Sequence, residues 1–154
     1  NTHPWFSAIE WKDCHETAAF AARYGTLLFA NDVEPVPAGR FAVSAERQPW
    51  WKHFTYRKAL ADGRVLQIVH LVNPPVNSAR MDLDAQETPP AITSAQVRTT
   101  APEGYTLAGA WVLSSSPEPR ATRKETIGTP GRPAVTVEHV QWWKVVVFEW
   151  EQSE

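Results

Sequence analysis

The stretch WWKHFTYRKALADGRVLQIVHLVN, residues 50–73, decides how the rest of the chain is read. At its centre stands Ala61-Asp62-Gly63, and an Asp-Gly step supplies the positive φ angles that a tight hairpin turn requires. In the first arm Trp50, Phe54, Tyr56 and Leu60 share one parity, while Trp51, His53, Thr55 and Arg57 share the other. Successive strand residues point to opposite faces, so the first set is expected to be buried and the second to be wetter. The second arm, Arg64 to Asn73, is apolar on both parities, which predicts a central strand covered on both sides.

Beyond the hairpin the same chemistry recurs. AITSAQVRTT (91–100), YTLAGAWVLSS (105–115), ATRKETIG (121–128), PAVTVEHV (133–140) and QWWKVVVFEW (141–150) are rich in Val, Ile, Thr, Tyr and Trp. Turn residues such as EGY and GTPGRP separate some of them, giving about seven candidate strands from Phe41 onward. That pattern predicts an antiparallel two-sheet β-sandwich, Ig-like or jelly-roll-like. Residues 73–90 form a long proline-bearing connection. Loops of that length often carry function.

The first 31 residues read differently. Asp13 with Glu16 has the form of a helix cap and its reciprocal acid, followed by ETAAFAARYGTLLFAN with few β-branched residues. Phe20, Tyr24, Leu27 and Leu28 fall at i, i+4, i+7 and i+8, on one helical face. Asn31-Asp32 and the Pro35, Pro37, Gly39 cluster stop this helix. The expected organisation is a helical N-terminal extension and proline-bearing linker over residues 1–40, packed against a sandwich domain over 41–154.

A chain of 154 residues suits one domain. Hydrophobic residues at 43% and charged residues at 21% are ordinary for a globular protein, and no apolar run nears the roughly 18 residues of a membrane span. With Lys+Arg 15 against Asp+Glu 17, the chain lacks the basic excess that draws a protein to nucleic acid or to anionic lipid. The lone Cys14 forms no internal disulfide. Starting at Asn1 without an initiating Met, the sequence reads as a processed chain or a piece of a longer one.

The combination of a helix ending ARYGTLLFAND, a proline-bearing linker, YRKALADGRVLQIVHLVNPP and VEHVQWWKVVVFEW resembles the C-terminal end of bacterial dextranase-like glycoside hydrolases. There the last helix of a (β/α)8 barrel is followed by a β-sandwich that begins with such a hairpin. The resemblance covers about residues 16–150. It implies a bacterial, secreted accessory domain next to a catalytic glycoside hydrolase domain. The catalytic carboxylates of those enzymes sit on barrel strands that this chain does not contain, so none is transferred and no enzymatic activity is expected.

The 8 Trp exceed what a purely structural sandwich needs. A flat exposed indole stacks on the C–H face of a pyranose, and polar side chains at its rim meet the hydroxyls. In each of Trp50-Trp51 and Trp142-Trp143, alternation turns the two rings to opposite faces. Trp51 is the expected outward ring of the first pair, with His53 and Arg57 as hydrogen-bonding groups; the competing expectation packs Trp51 under the N-terminal helix. Trp142 and Trp143 are the next candidates, with burial left open by a strand apolar on both parities. Trp111 is expected in the core, and Trp5 and Trp11 beside the start of the helix. The expected partner is therefore a polysaccharide or oligosaccharide, with no nucleic acid, membrane or cofactor. Two alternatives stand beside it. One is a docking domain that packs on a catalytic barrel or subunit without glycan affinity. The other is a small copper-dependent oxidative enzyme using the Asn1 amine and His3. His53, His70 and His139 lie on different strands and read as structural residues.

Overall fold

The computed structural model describes residues 11–74 and 88–154. Among the described residues one α-helix, α1 (Trp11–Leu28), precedes ten strands: β1 (Val33–Pro35), β2 (Phe41–Ala45), β3 (Thr55–Ala59), β4 (Val65–Val72), β5 (Ile92–Thr99), β6 (Tyr105–Ser114), β7 (Arg120–Arg123), β8 (Ile127–Thr129), β9 (Arg132–Val140) and β10 (Trp143–Gln152). They form two antiparallel sheets, a six-stranded one ordered β1-β3-β4-β10-β6-β7 and a four-stranded one ordered β2-β5-β9-β8. The architecture is a β-sandwich with a helix laid on the outside of the larger sheet.

The hairpin reads as expected. Ala59 pairs with Val65, Leu60 N–H donates to Arg64 O at 2.8 Å, and Gly63 takes φ +87°. β4 is buried from Val65 to Leu71 because both of its faces are covered. Val65, Val69 and Leu71 meet the four-stranded sheet in the core between the sheets, together with Val97, Val135, Val137, Phe148 and Trp150. Leu66 and Ile68 point the other way, into a second cluster with Val145, Val147, Phe20 and Leu28.

The helical face predicted from spacing is the one that packs, with Phe20 and Leu28 buried and Tyr24 and Leu27 beside them. The start of the helix is a correction. Within the described residues α1 runs from Trp11, which places Asp13, read above as its cap, inside the helix. Arg23 donates to Pro119 O at 2.8 Å, and Lys58 reaches Thr26 O and the Asp32 carboxylate (2.9 Å), which fasten the helix to β3 and to the β6–β7 turn.

The proline-bearing stretch after α1 contributes β1, which adds to the edge of the larger sheet against β3. ATRKETIG, which resembles one strand, is two. Ala121–Arg123 belongs to β7 in the larger sheet and Ile127-Gly128 to β8 in the smaller one, with residues 124–126 crossing between them. Turn chemistry is absent from Lys124-Glu125-Thr126, so nothing local marks the crossing.

Inside the sandwich one polar group sits at the centre. The Gln67 Oε1 accepts from Trp150 Nε1 (2.9 Å) and Thr99 Oγ1 (2.8 Å), and its Nε2 donates to Thr100 O (3.1 Å). A buried amide costs little when its hydrogen bonds are made. Here it also ties β4 and β10 of one sheet to β5 of the other.

Candidate functional site

Two exposed tryptophans, Trp50 and Trp142, lie where β4 ends. Trp50 and Val72 exchange both backbone hydrogen bonds, at 2.8 and 2.9 Å, and on its other side Val72 stands opposite Trp143 of β10. Directly opposed residues of an antiparallel ladder project to the same face. Trp50, Val72 and Trp143 therefore make a row across the face that carries α1. Trp142 occupies the turn just before β10, and its carbonyl accepts from Asn73 N–H at 2.8 Å. Trp50 is 48% and Trp142 53% exposed. Phe29, which follows the end of α1, is also exposed and overhangs His70 and Trp143 with ring centroids at 6.1 and 6.4 Å.

Beneath this surface lie two polar anchors. Asn73 is buried, and its Nδ2 donates to Gln141 O (2.7 Å), Pro90 O (3.1 Å) and Val140 O (3.2 Å), while its Oδ1 accepts from Arg47 at 2.6 Å. Arg47 also donates to Pro90 O. One side chain thus fixes the turn bearing Trp142, the segment leading to Trp50 and the start of the chain toward β5. His70 is the second anchor. Its Nδ1 accepts from Trp143 Nε1 at 3.2 Å, and Trp143 meets Phe20 edge-on at 4.6 Å. An indole N–H only donates, so the imidazole carries its proton on Nε2. Burial pushes the His70 pKa down to about 4, leaving the ring neutral near pH 7.

Several predicted positions fall elsewhere. Trp51, expected to face outward, is 9% exposed and packs in the core between the sheets, under neither solvent nor α1. The reason is local. Residues 51–54 form a turn, closed by Phe54 N–H to Trp51 O at 2.9 Å, so strand alternation does not run from Thr55 back to Trp50. Trp50 is the outward ring, and Thr55 is buried, its hydroxyl donating to Val36 O at 2.7 Å. His53 is exposed in that turn. Arg57 is exposed but pairs with Gln67 on the opposite parity from Trp143, so the structure does not bring it to the Trp row. Trp143 is half-buried. Trp111 lies on the outer face, half-buried, with Nε1 donating to Glu149 at 3.3 Å and Arg123 stacked 5.7 Å over its ring. Sequence reasoning missed Phe29, Asn73 and the role of His70, although the HLVN run that carries two of them is part of the hairpin quoted above.

A cavity of about 620 Å³ is an open groove along residues 107–110 and 123–126. It holds no exposed aromatic face, and Arg123 there is engaged with Ala108 O at 3.0 Å. Among the described residues no three His, Cys, Asp or Glu side chains converge as a metal site, and no helix is long and apolar enough to cross a membrane. Asn1, His3 and Trp5 lie outside the described residues.

The chain is similar to a region of the cycloisomaltooligosaccharide glucanotransferase of a Paenibacillus species, solved with cycloisomaltoheptaose, with a TM-score of 0.64 at 19% identity over 88% of this chain. The match spans 20% of that longer protein. The α-L-fucosidase isoenzyme 2 of Paenibacillus thiaminolyticus aligns over 75% of this chain and 16% of its own, at 16% identity and a TM-score of 0.43. No family model and no curated protein matches the sequence.

Proposed function

We propose that this chain is a non-catalytic, carbohydrate-binding accessory sandwich of a secreted bacterial polysaccharide-active enzyme, and that it holds glycan by stacking on Trp50 and Trp142. The observation that carries this reading is the placement of two half-exposed indoles on either side of the Val72-Asn73 end of β4. Large aromatics are usually well buried, and here two of them stand half in solvent. The main chain of each is hydrogen-bonded to the end of β4, which fixes where the two rings leave the backbone. Exposed His53, in the adjoining turn, supplies a polar rim. The similarity to part of a glucanotransferase is consistent with an accessory role, and its bound cyclic sugar suggests the first ligands to try.

The test is retention of the purified chain on insoluble and soluble polysaccharides, including dextran, with linear isomaltooligosaccharides and cycloisomaltoheptaose as competitors. Retention with a shift in Trp emission is expected, and its loss in Trp50→Ala and Trp142→Ala with the fold intact. Retention unchanged in both variants would refute the assignment.

A second reading is favoured by Phe29 and Trp50, which are exposed on the helix-bearing face of the larger sheet. An aromatic patch beside a packed helix also suits docking on a catalytic barrel or subunit. Concentration-dependent self-association in sedimentation, with no retention on any glycan, would select that reading.

A further inference from the structure

Between the end of α1 and the outer face of the larger sheet lies a second cavity of about 230 Å³, walled by Leu28, Phe29, Ala30, Val33, Tyr56 and His70. His70 is 7% exposed, and its Nε2 is buried without a hydrogen-bond partner. Because Nδ1 is turned to Trp143 on the β10 side, the Nε2 edge faces the β3 side, where Tyr56 stands with its ring 5.5 Å away. That is the side on which the cavity lies. A buried donor left unsatisfied is costly, so a ligand oxygen that parts the cavity walls far enough to reach it recovers free energy.

The walls define what fits. None of the six lining residues carries a charge near pH 7, given neutral His70, so an ion would be stripped of water there without a counter-charge. The donor calls for an oxygen acceptor, while Phe29 and Tyr56 offer aromatic surface to C–H groups. Sites for drug-sized ligands run about 300–1,000 Å³, so this smaller cavity takes one ring and no longer piece of chain.

We propose that this cavity binds the terminal ring of a neutral glycan chain, with His70 Nε2–H donating to a hydroxyl or ring oxygen, while Trp50 and Trp142 hold the chain itself. The proposal rests on the carbohydrate-binding reading above and adds recognition of chain ends to it.

The experiment uses the full chain labelled with ¹⁵N-histidine, titrated with isomaltotriose and, in parallel, with cycloisomaltoheptaose, which has no chain end. Isomaltotriose is expected to shift the His70 Nε2–H resonance and to bind at least tenfold more tightly than the cyclic sugar. Ala30→Phe, which fills the cavity and leaves His70 and the Trp surface in place, is expected to abolish the shift and lower isomaltotriose affinity at least tenfold. His70→Phe should lose the same binding, and Ala30→Phe covers the case in which that variant misfolds. An unmoved His70 resonance, an equal shift with the cyclic sugar, or full affinity in Ala30→Phe would overturn the proposal. If polysaccharide retention still depends on Trp50 and Trp142 while His70 is silent, the surface reading survives and the end-binding site falls. Absence of retention together with a silent His70 sinks both.

Discussion

The two faces of the six-stranded sheet are built from similar residues and finished to different degrees. Toward the smaller sheet, Val65, Val69, Leu71, Val146, Phe148 and Trp150 are fully enclosed, and the polar atoms of Gln67, Thr99 and Trp150 satisfy one another. Toward α1, Leu66, Ile68, Val145 and Val147 are just as buried, yet Tyr24 Oη and His70 Nε2 are buried without partners, and Phe29 and Trp50 stand exposed. A sheet covers a sheet along its whole length, whereas one helix covers a stripe and leaves the end of the face open. The inner face is closed along its length. The outer face, where packing stops short, is where a ligand has room and unspent hydrogen-bonding groups.

If the inner face is the stabilising one, its loss should cost most. Trp150→Ala removes a fully buried indole and leaves Gln67 without one of its donors, with an expected cost of roughly 3–5 kcal/mol in denaturant unfolding. A loss under about 1 kcal/mol would break the contrast.

His70 brings the outer face into the stability account through pH. Its folded pKa is lowered from the ordinary 6.5 to about 4, so as pH falls the unfolded chain takes up the proton first. The stabilisation tied to neutral His70 is complete above about pH 6.5 and is lost between pH 6.5 and 4, by up to about 3 kcal/mol. Comparing wild type with His70→Phe across that window isolates the contribution from the carboxylates. Parallel pH profiles for the two proteins would show that His70 titrates normally and that the outer face is wetter than the structure shows.

A subtler probe is Gln67→Leu, which nearly keeps the volume and strands the Trp150 N–H, while the Thr99 hydroxyl keeps Arg40 O as an acceptor; a loss of roughly 1–3 kcal/mol is expected by the same unfolding measurement. A neutral result would mean that the network between the sheets is dispensable. The smallest change in stability, within about 0.5 kcal/mol, is expected for Trp142→Ala, whose ring is half in solvent. That variant should unfold like wild type and fail in polysaccharide retention, which separates the working surface from the supporting one.

Much of this was legible in the sequence because it depends on local pattern. The Asp62-Gly63 turn fixes a hairpin, a strand apolar on both parities has to be covered twice, and Phe20, Tyr24, Leu27 and Leu28 mark the face on which the helix packs. The outward tryptophan was not legible, because alternation holds only while the backbone stays extended. A four-residue turn at 51–54 interrupts it, burying Trp51 and exposing Trp50. The split of residues 121–128 between two sheets was hidden for a related reason, since which neighbour a short strand pairs with is decided by contacts far away in the chain. Period and turn chemistry in the sequence determined the sandwich and its helix. Only the tertiary structure decided that Trp50, Trp142, Phe29 and His70 share one end of a sheet, because that meeting depends on the register of β4 and β10 and on a buried Asn73 whose partners lie 17 to 68 residues away.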